Sequence, residues 1–591
     1  MKQFFKFMFA SMLGFLLTIV VFFLIIGAIL SAIVSSASSD QETRLTDGTI
    51  LHIYFKAPID ERSSDNPLEN FNFNSFSSSM QPGLNDILKN IKKAAADANI
   101  EGIYLDLSGL EGGMASIEEI RNGLLEFKKS KKFIYAYSDY YTQGSYYMAT
   151  VADEIWLNPQ GVVEFKGMSA VIPFLKGLFE KLEIEPQVIR HGKFKSAIEP
   201  FILDKMSDEN REQLSTYVNA FWNHFVAGIA ESRQLSQNEI RTLADSMLLQ
   251  TAEDALKFKM IDHIGFKDEF YSLLRKKTGQ NEKEELRYIS LKKYTKSADP
   301  APAKEFTRSK IAVIYALGDI VSGKGKPDQI GSESLSETIR KAREDDNIKA
   351  VVLRVNSPGG DALASEIIWR EMELCRKVKP VIVSMGDVAA SGGYYISCNA
   401  DTIVAQPNTI TGSIGVFGLM FNAQKMFNNK LGITFDSYKT GPYSDIGSSV
   451  RPLTLAERQI MQNAVERVYS TFTKRVADGR NMPVDQVDSL GQGRVWSGVD
   501  AFKLGLVDVL GGLDVAISIA AKKAKLDNYR ISELPEQKDP LKQIMEEVSG
   551  DVEVRYLKYK MGDYYQLYNY AEKFQEMKGV QARMFFDIAI Q

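Results

Sequence analysis

An internal repeat constrains the fold of this sequence more than any other feature. The segment at 138–159 reads SDYYTQGSYYMATVADEIWLNP and aligns, at a constant offset of 248, with GDVAASGGYYISCNADTIVAQP at 386–407. Upstream, ANIEGIYLDLSG (98–109) aligns with DNIKAVVLRVNS (346–357). Downstream, EDALKFKMIDHIG (253–265) aligns with VDAFKLGLVDVLG (499–511) at an offset of 246. A change of only two residues in the offset over this length argues against chance similarity. Because there are only two copies, they indicate a tandem duplication of one domain rather than a solenoid.

Both copies follow the same order of predicted elements. Apolar runs such as AVVLRV alternate with stretches whose apolar residues recur at helical spacing. This pattern is typical of an α/β domain with a buried, largely parallel sheet. The predicted strands are 50–55, 103–107, 132–137 and 154–157 in the first copy, and 311–316, 351–355, 381–385 and 402–405 in the second. A long helix closes each copy, and in the second Thr454 and Glu457 have the spacing of a capping box.

Composition excludes several classes of function. The 591 residues carry a net charge of −4, which gives no electrostatic basis for binding nucleic acid. Two cysteines, Cys375 and Cys398, cannot form a disulfide framework and are interpreted as buried small hydrophobic residues. The four histidines share no metal-binding spacing, so we expect neither a metal site nor a cofactor.

The amino-terminal region is apolar enough to cross a membrane. No charged residue occurs in 7–34, a run longer than the roughly 20 residues that a bilayer requires. A cleaved signal peptide is the alternative, but its apolar core is usually shorter, about 7–15 residues. Lys2 and Lys6 precede the run while Asp40 and Glu42 follow it, so the positive-inside rule predicts a cytoplasmic amino terminus and an extracytoplasmic body.

Polar linkers divide the rest of the chain. Residues 36–48 and 297–308 are polar and contain Ser or Pro, which is typical of linkers. The second of these segments predicts the boundary between the two copies near residue 300. The predicted organisation has five parts: a cytoplasmic segment 1–6, a transmembrane anchor 7–34, a first domain 45–297, a second domain 309–530 and an extension 531–591. The extension is charged and Tyr-rich, and its sequence predicts no role.

The copies differ where chemistry is expected. Ser391 in the turn VAASGGYYIS of the second copy aligns with Gln143 of the first, so only one copy has a candidate nucleophile. A serine hydroxyl needs a neighbouring base, and residues 309–530 contain no histidine. Lysine is another known partner of serine, and GKFKSAIEPF of the first copy offers Lys193 and Lys195. Alternation along an extended KFK would place both on one face, so the pattern does not choose between them.

These segments together resemble a known family. The sequences NSPGGDALASE, MGDVAASGGYYISCNADTIVAQPNTITGSIGVFG and GKFKSAIEPF follow an amino-terminal apolar run, and the similarity extends to QARMFFDIAI at 581–590. In this combination they resemble the long, tandem-domain bacterial form of the signal peptide peptidase A family, the serine proteases of family S49. The resemblance covers nearly the whole chain.

The resemblance implies a fold and a site. The fold would be a tandem pair of ClpP/crotonase-like α/β domains behind one transmembrane helix. Ser391 would be the nucleophile, Lys195 rather than Lys193 the general base, and Ser413 the residue that orients the lysine amine. The backbone of Gly359, Gly360 and Gly392 would form the oxyanion hole.

The resemblance also implies a function and a setting. The protein would degrade cleaved signal peptides and other hydrophobic or unfolded peptides. It would do so at the bacterial inner membrane, with its catalytic body on the periplasmic side, and would assemble as a homotetramer. Two alternatives stay open from the residues alone: a crotonase-like acyl-CoA enzyme, and a non-catalytic membrane scaffold whose SGG turn is structural. For Asp361, Asp387 and Asp401, turn or capping roles are favoured over catalysis.

Overall fold

Two largely parallel β-sheets, one in each copy of the repeat, form the body of the molecule. The structure is a computed structural model. It describes residues 2–37, 45–55, 57–63, 71–72, 77–78, 82–300, 306–537 and 580–584.

The strands of the described first copy are β1 (Thr49–Tyr54), β2 (Phe71–Asn72), β3 (Ser77–Ser78), β4 (Ile100–Asp106), β5 (Phe133–Tyr141), β6 (Glu154–Val163), β7 (Glu185–Arg190), β8 (His263–Ile264) and β9 (Tyr288–Ser290). Those that follow are β10 (Lys310–Leu317), β11 (Asp319–Val321), β12 (Gln329–Gly331), β13 (Ile348–Ser357), β14 (Gly359–Asp361), β15 (Val381–Ala390), β16 (Thr402–Ala405), β17 (Ile410–Gly412), β18 (Phe417–Asn422), β19 (Val495–Ser497), β20 (Val509–Leu510), β21 (Arg530–Leu534) and β22 (Val580–Arg583).

The described α-helices up to residue 300 are α1 (Lys2–Ala37), α2 (Leu84–Ala96), α3 (Met114–Lys128), α4 (Gln143–Ala149), α5 (Lys176–Leu182), α6 (Glu199–Ile202), α7 (Asp208–Arg233), α8 (Gln237–Asp245), α9 (Ala252–Lys257), α10 (Lys267–Lys277) and α11 (Leu291–Tyr294). Those that follow are α12 (Ser332–Glu344), α13 (Ala362–Arg376), α14 (Gly392–Tyr395), α15 (Leu455–Arg480), α16 (Val484–Leu490), α17 (Gly498–Lys503) and α18 (Leu513–Lys523). A short 3₁₀ helix (Ser196–Ile198) precedes α6, and a π-helical turn (Met426–Leu431) follows β18.

Each parallel sheet is covered by helices on both faces. The first sheet has the order β8-β6-β5-β4-β1-β9, and the second has the order β19-β17-β15-β13-β10-β21, with β16 and β20 branching from β15. In the first copy, α2, α3 and α7 bury apolar side chains against one face, whereas α10 packs Phe270 and Leu274 against the other. This double burial explains the continuous apolar runs of the strands, because a strand buried on both faces has no polar side.

A third sheet takes strands from both copies. Its order is β12-β11-β14-β22-β18-β7, and β7 of the first copy pairs antiparallel with β18 of the second from Glu185–Asn422 to Arg190–Phe417. The strand β22 lies between β14 and β18 and is antiparallel to both. The loop that follows β7 therefore enters the second copy.

The structure confirms the predicted α/β duplication. β5, α4 and β6 of the first copy recur as β15, α14 and β16 of the second. Several strands are longer than predicted, since β5 runs to Tyr141 and β15 to Ala390. The capping box at Thr454 and Glu457 is present and begins α15. Residues 38–44 and 301–305 of the two predicted linkers, and most of the extension 531–591, lie outside the described residues.

One helix among the described residues is long and apolar enough to cross a membrane. Residues Gln3–Phe22 of α1 meet this criterion by length and composition, and none of this stretch is buried against the body. A core helix of a soluble domain would be mostly buried, so the exposure of α1 favours a membrane or signal segment.

Candidate active site

Ser391 lies at a sharp, strained turn between β15 and α14. Its φ and ψ angles are 55° and −112°, a conformation that a residue with a side chain rarely adopts. Its amide donates to the carbonyl of Gly412 at 2.8 Å, which fixes the turn against β17. The aligned Gln143 instead opens α4, where its side chain bonds the backbone of 166–167. Of these two aligned residues, only Ser391 therefore has the strained, positive-φ conformation.

Lys195 reaches Ser391 from the other copy. It lies in the loop between β7 and the 3₁₀ helix, and its Nζ is 2.9 Å from the Ser391 Oγ and 3.1 Å from the Ser413 Oγ. The chain of the second copy passes very close, because a methyl group on Gly493 (φ +86°) would lie 2.6 Å from the Cα of Lys195. Glycine at this position permits that approach.

Burial sets the protonation of Lys195. The side chain is 1% exposed, and the loss of solvation lowers the pKa of Lys195 to about 7. At neutral pH a large share of the amine is consequently unprotonated and able to accept a proton. A lysine in this state next to a serine hydroxyl has the properties that a general base requires.

The structure separates the two lysines that the sequence pattern left equivalent. Residues 191–195 form a turn rather than an extended strand, so the assumption of alternation was wrong here. Lys193 is exposed, with its Nζ over the ring of Phe194, whereas Lys195 points inward.

The glycines predicted for the oxyanion hole adjoin one another beside Ser391. Gly359 has a φ of +101°, and a methyl group on it would lie 2.6 Å from the amide nitrogen of Gly392. Gly360 follows in β14 and pairs with β11 and β22. The amide of Gly359 donates to the Ser357 hydroxyl at 3.2 Å, whereas that of Gly392 follows Ser391 directly. A backbone amide next to a nucleophile can stabilise the negative charge that develops on a carbonyl oxygen.

Comparison with known proteins identifies the family of this chain. The family model "Peptidase family S49" matches residues 126–281 and 373–527, one range in each copy of the repeat. The chain belongs to peptidase family S49. Together with the relatives named protease below, this membership supports a serine-type protease.

Relatives of this S49 protease match across both copies. Protease 4 of Salmonella typhi is 38% identical over 79% of this chain and 76% of its own length. The chloroplastic serine protease SPPA of Arabidopsis thaliana is 36% identical over 79% of this chain and 69% of its own. Among solved structures, that of a ClpP1 point mutant from Listeria monocytogenes covers 35% of this chain and 94% of its own, with 15% identity and a TM-score of 0.24.

The aspartates of the SGG region are structural, as predicted. Asp361 caps α13 by accepting from the Ala364 amide at 2.7 Å, and Asp401 accepts from the Val381 amide at 2.9 Å. Asp387 caps a helix of the other copy, because it accepts from the amides of Ala115 and Ser116 at 2.8 and 3.1 Å.

Cys398 and His191 of this S49 protease contact groups other than Ser391. Cys375 and Cys398 are buried and unpaired, as predicted, and burial raises the pKa of their thiols to about 11 and about 12. His191 stacks on Tyr469 and contacts Glu466 rather than the serine. Within the described residues, no group of His, Cys, Asp or Glu has the arrangement of a metal site.

One positioning residue was missed by sequence analysis. Gln213 of α7 donates to the Phe194 carbonyl at 3.1 Å and to the Ser196 hydroxyl at 2.8 Å, and it accepts from the Val495 amide at 3.2 Å. It thereby ties the loop that carries Lys195 to the second copy. A buried glutamine in a long helix has no local sequence signature, because its role depends on three partners distant in the chain.

Proposed function

We propose that this S49 protease is a membrane-anchored endopeptidase that degrades cleaved signal peptides and other hydrophobic or unfolded peptides. The observation that carries this proposal is the buried 2.9 Å contact between Lys195 Nζ and Ser391 Oγ. The lowered pKa of Lys195, about 7, supports its role as base. The resemblance to the signal peptide peptidase A family supports the substrate class.

The proposed reaction is an acyl transfer through a Ser/Lys dyad. The neutral amine of Lys195 takes the proton of Ser391 as the Oγ attacks the peptide carbonyl. The resulting oxyanion receives hydrogen bonds from the backbone amides of Gly359, Gly360 and Gly392. Lys195 then gives the proton to the departing amine, which leaves an ester on Ser391. A water molecule, deprotonated by Lys195, hydrolyses the ester and restores the serine.

Ser413 is proposed to orient the base. Its Oγ is 3.1 Å from the Lys195 Nζ and 3.3 Å from the Gly493 carbonyl. A hydroxyl held in this way can accept a hydrogen bond from the amine while donating its own proton to the carbonyl. The lone pair of the neutral amine is then free to face Ser391.

Small and apolar surroundings support hydrophobic peptides as substrates. A cavity of about 50 Å³ next to Lys195 and Ser413 is lined by Leu214, Tyr217 and Val495, among others. Apolar peptide side chains would be favoured there, because entering the cavity removes their apolar surface from water. The apolar helix α1 would hold this site close to a bilayer, where signal peptides remain after their release.

Membrane orientation and assembly form part of the same proposal. The lysines before the apolar run favour a cytoplasmic amino terminus and a catalytic body on the periplasmic side of the inner membrane. We propose a homotetramer on the basis of the family resemblance. Protease accessibility in right-side-out vesicles tests the orientation, and light scattering in detergent tests the stoichiometry.

A serine-directed fluorophosphonate tests the nucleophile. We expect the intact protein to be labelled and to degrade a synthetic signal peptide, and Ser391→Ala to do neither. Labelling that persists in Ser391→Ala would contradict the assignment. Absence of labelling in the intact protein would favour a scaffold, and thioester hydrolysis of an acyl-CoA without peptidase activity would favour the crotonase-like alternative.

A further inference from the structure

A surface cleft on the second copy is lined by arginines from three helices. Arg340 of α12, Arg370 of α13 and Arg475 of α15 border a volume of about 550 Å³. Ser336 lies one helical turn before Arg340 and therefore faces the same cleft. The cleft shares no lining residue with the cavity beside the proposed base, so the two are separate.

The carboxylates of the cleft are already paired with arginines. Glu371 contacts Arg340 and Arg343, each at 3.1 Å. Glu366 contacts Arg475 through Nε and Nη2 of the guanidinium. Three arginines therefore share two carboxylates in these contacts, which leaves one positive charge uncompensated.

Arg370 adds a further positive charge. Its side chain is exposed, and within the residues that the structure describes it forms no ion pair with a carboxylate. The cleft and its immediate partners thus hold four guanidinium groups against two carboxylates. Such an excess favours an anionic ligand, because each guanidinium presents its N–H donors in a planar fork that matches the oxygens of a phosphate or a carboxylate.

Trp369 of α13 holds one of these guanidinium groups in place. The Cζ of Arg475 lies 3.7 Å from the centroid of the Trp369 ring, which is the distance of a stacked pair. Glu366 occupies one edge of the guanidinium, but an arginine has five N–H donors, so this contact does not exhaust them. Stacking thus orients the remaining donors before a ligand arrives, which lowers the entropy lost on binding.

Two buried donors of the cleft have no hydrogen-bond partner among the described residues. They are Nε1 of Trp369, a residue that is 7% exposed, and Oγ of Ser336, a residue that is 5% exposed. A buried N–H or O–H without an acceptor is unfavourable, so such groups are usually bonded to protein, water or a bound ion. A ligand rich in oxygen supplies acceptors for donors of this kind.

We propose that this cleft binds a phosphate-type oxyanion, from free phosphate or from the headgroup of a phospholipid. A carboxylate offers two oxygens in one plane, whereas a phosphate group offers up to four at the corners of a tetrahedron, which suits donors that converge from three helices. A volume of about 550 Å³ also accommodates the glycerol to which a headgroup phosphate is esterified. The proposal does not depend on the reactive centre, because neither Ser391 nor Lys195 lines the cleft.

Titration of the full-length protein with inorganic phosphate tests the proposal. In dodecyl maltoside and a phosphate-free buffer of low ionic strength, calorimetry should show one saturable site per chain with a Kd of about 1 mM or tighter. Arg370→Gln should weaken this binding by about tenfold, because it removes a charge-assisted hydrogen bond. Arg467→Gln is the matched control, since it removes an exposed arginine of α15 that does not line the cleft, and should leave the affinity unchanged.

Three results would overturn the proposal. The first is the absence of saturable binding to the wild-type protein, and the second is equal weakening in Arg370→Gln and Arg467→Gln. The third is acetate binding as tightly as phosphate, which would contradict the tetrahedral oxyanion. Circular dichroism of each variant establishes that it is folded, and both substitutions replace exposed side chains.

A soluble headgroup distinguishes the two sources of phosphate. Glycerophosphoglycerol, the headgroup of phosphatidylglycerol without its acyl chains, is titrated beside inorganic phosphate. Tighter binding of the diester would identify a phospholipid headgroup as the ligand, and tighter binding of inorganic phosphate would identify free phosphate. Either order supports the site.

An inactive variant separates this proposal from the catalytic one. Ser391→Ala should bind phosphate as tightly as the wild type, because the serine lies outside the cleft. This measurement requires no chemistry at Ser391, so it holds even if the nucleophile were misassigned. Loss of phosphate binding in Ser391→Ala would place the anion at the serine and overturn the site between α12, α13 and α15.

Discussion

The proposed role of Lys195 as a base depends on where its side chain lies. Its amine is surrounded by hydroxyl and carbonyl groups of Ser391 and Ser413, and burial lowers its pKa to about 7. A surface lysine would remain protonated at neutral pH. The contrast with Lys193, two positions away and exposed, offers a direct comparison.

Lys195→Met should abolish proteolysis, whereas Lys193→Met should not. We expect kcat/KM to fall by about 10³-fold or more, because the hydroxyl of Ser391 loses its proton acceptor. The matched control Lys193→Met removes a cation at the same loop and should retain activity within about twofold, since surface substitutions away from such features have small effects. Equal losses in both variants would contradict the assignment of Lys195.

The pH dependence of activity should report the same lysine. The unprotonated amine is the active form, so kcat/KM should rise with pH and reach half its maximum near pH 7, where the pKa of Lys195 lies. A rate profile measured from about pH 5 to 9 tests this. A midpoint below about pH 5.5 would point to a carboxylate base instead.

Lys195 should make the free energy of unfolding rise with pH, whereas a lysine that gains an ion-pair partner on folding would make it fall with pH. Because the folded-state pKa is lowered, the unfolded chain binds a proton between about pH 7 and 10.5 that the folded chain does not. The free energy of unfolding of the wild type, relative to Lys195→Met, should therefore rise with pH in this window by about 1.4 kcal/mol per unit. Urea unfolding at three pH values measures the slope, and a difference that falls with pH would contradict it.

At the scale of elements, the copies are joined through the end of a helix. α3 of the first copy has Gly113 at its N-cap with no side-chain bond of its own. Asp387 of the second copy supplies the acceptor for its first amides. A methyl group on Gly113 would overlap the Asp387 carboxylate, so glycine is needed for that group to enter.

Asp387→Ala should destabilise the start of α3, although Asp387 lies 272 residues from Ala115 in the chain. Loss of a capping carboxylate costs about 1–2 kcal/mol, and amides at the start of α3 should exchange faster with solvent. Ser236→Ala, which removes the cap of the exposed α8, is the control and should speed exchange only in α8. Unchanged protection of residues 115–118 in Asp387→Ala would contradict this role.

Local signals account for what the sequence predicted. The alternation of strands and helices, the capping box at Thr454 and the serine that replaces Gln143 all depend on neighbouring residues or on the repeat. The pairing of β7 with β18, the cap from Asp387 and the position of β22 depend on which segments meet in space. No periodicity encodes such contacts, and the family resemblance rather than the pattern selected Lys195 over Lys193.

At the scale of the whole molecule, a buried charge cluster holds the copies together. Arg354 of β13 is fully buried and contacts Glu61 at 2.8 Å and Glu119 at 2.6 Å, both from the first copy. One guanidinium faces two buried carboxyl groups, and burial raises the pKa of Glu119 to about 7. Loss of one partner would leave uncompensated polar groups in the interface between the copies.

Arg354→Met should destabilise the protein by about 3–5 kcal/mol, because both carboxyl groups would stay buried without their partner. Arg340→Met, which removes an exposed arginine from Glu371 while Arg343 still contacts that carboxylate, should cost at most about 1 kcal/mol. Urea unfolding compares the two. Replacing Arg354, Glu61 and Glu119 together with apolar residues should recover most of the loss, and a triple variant as unstable as Arg354→Met would contradict the explanation.

The sheet shared by the copies also has a consequence for biosynthesis. Strand β7 ends at Arg190, but its partner β18 begins only at Phe417, so a ribosome must add more than two hundred residues before the two can pair. Until then the lysine has no serine beside it. If the proposed dyad is the reactive centre, the nascent chain is therefore without activity until the second copy has been made.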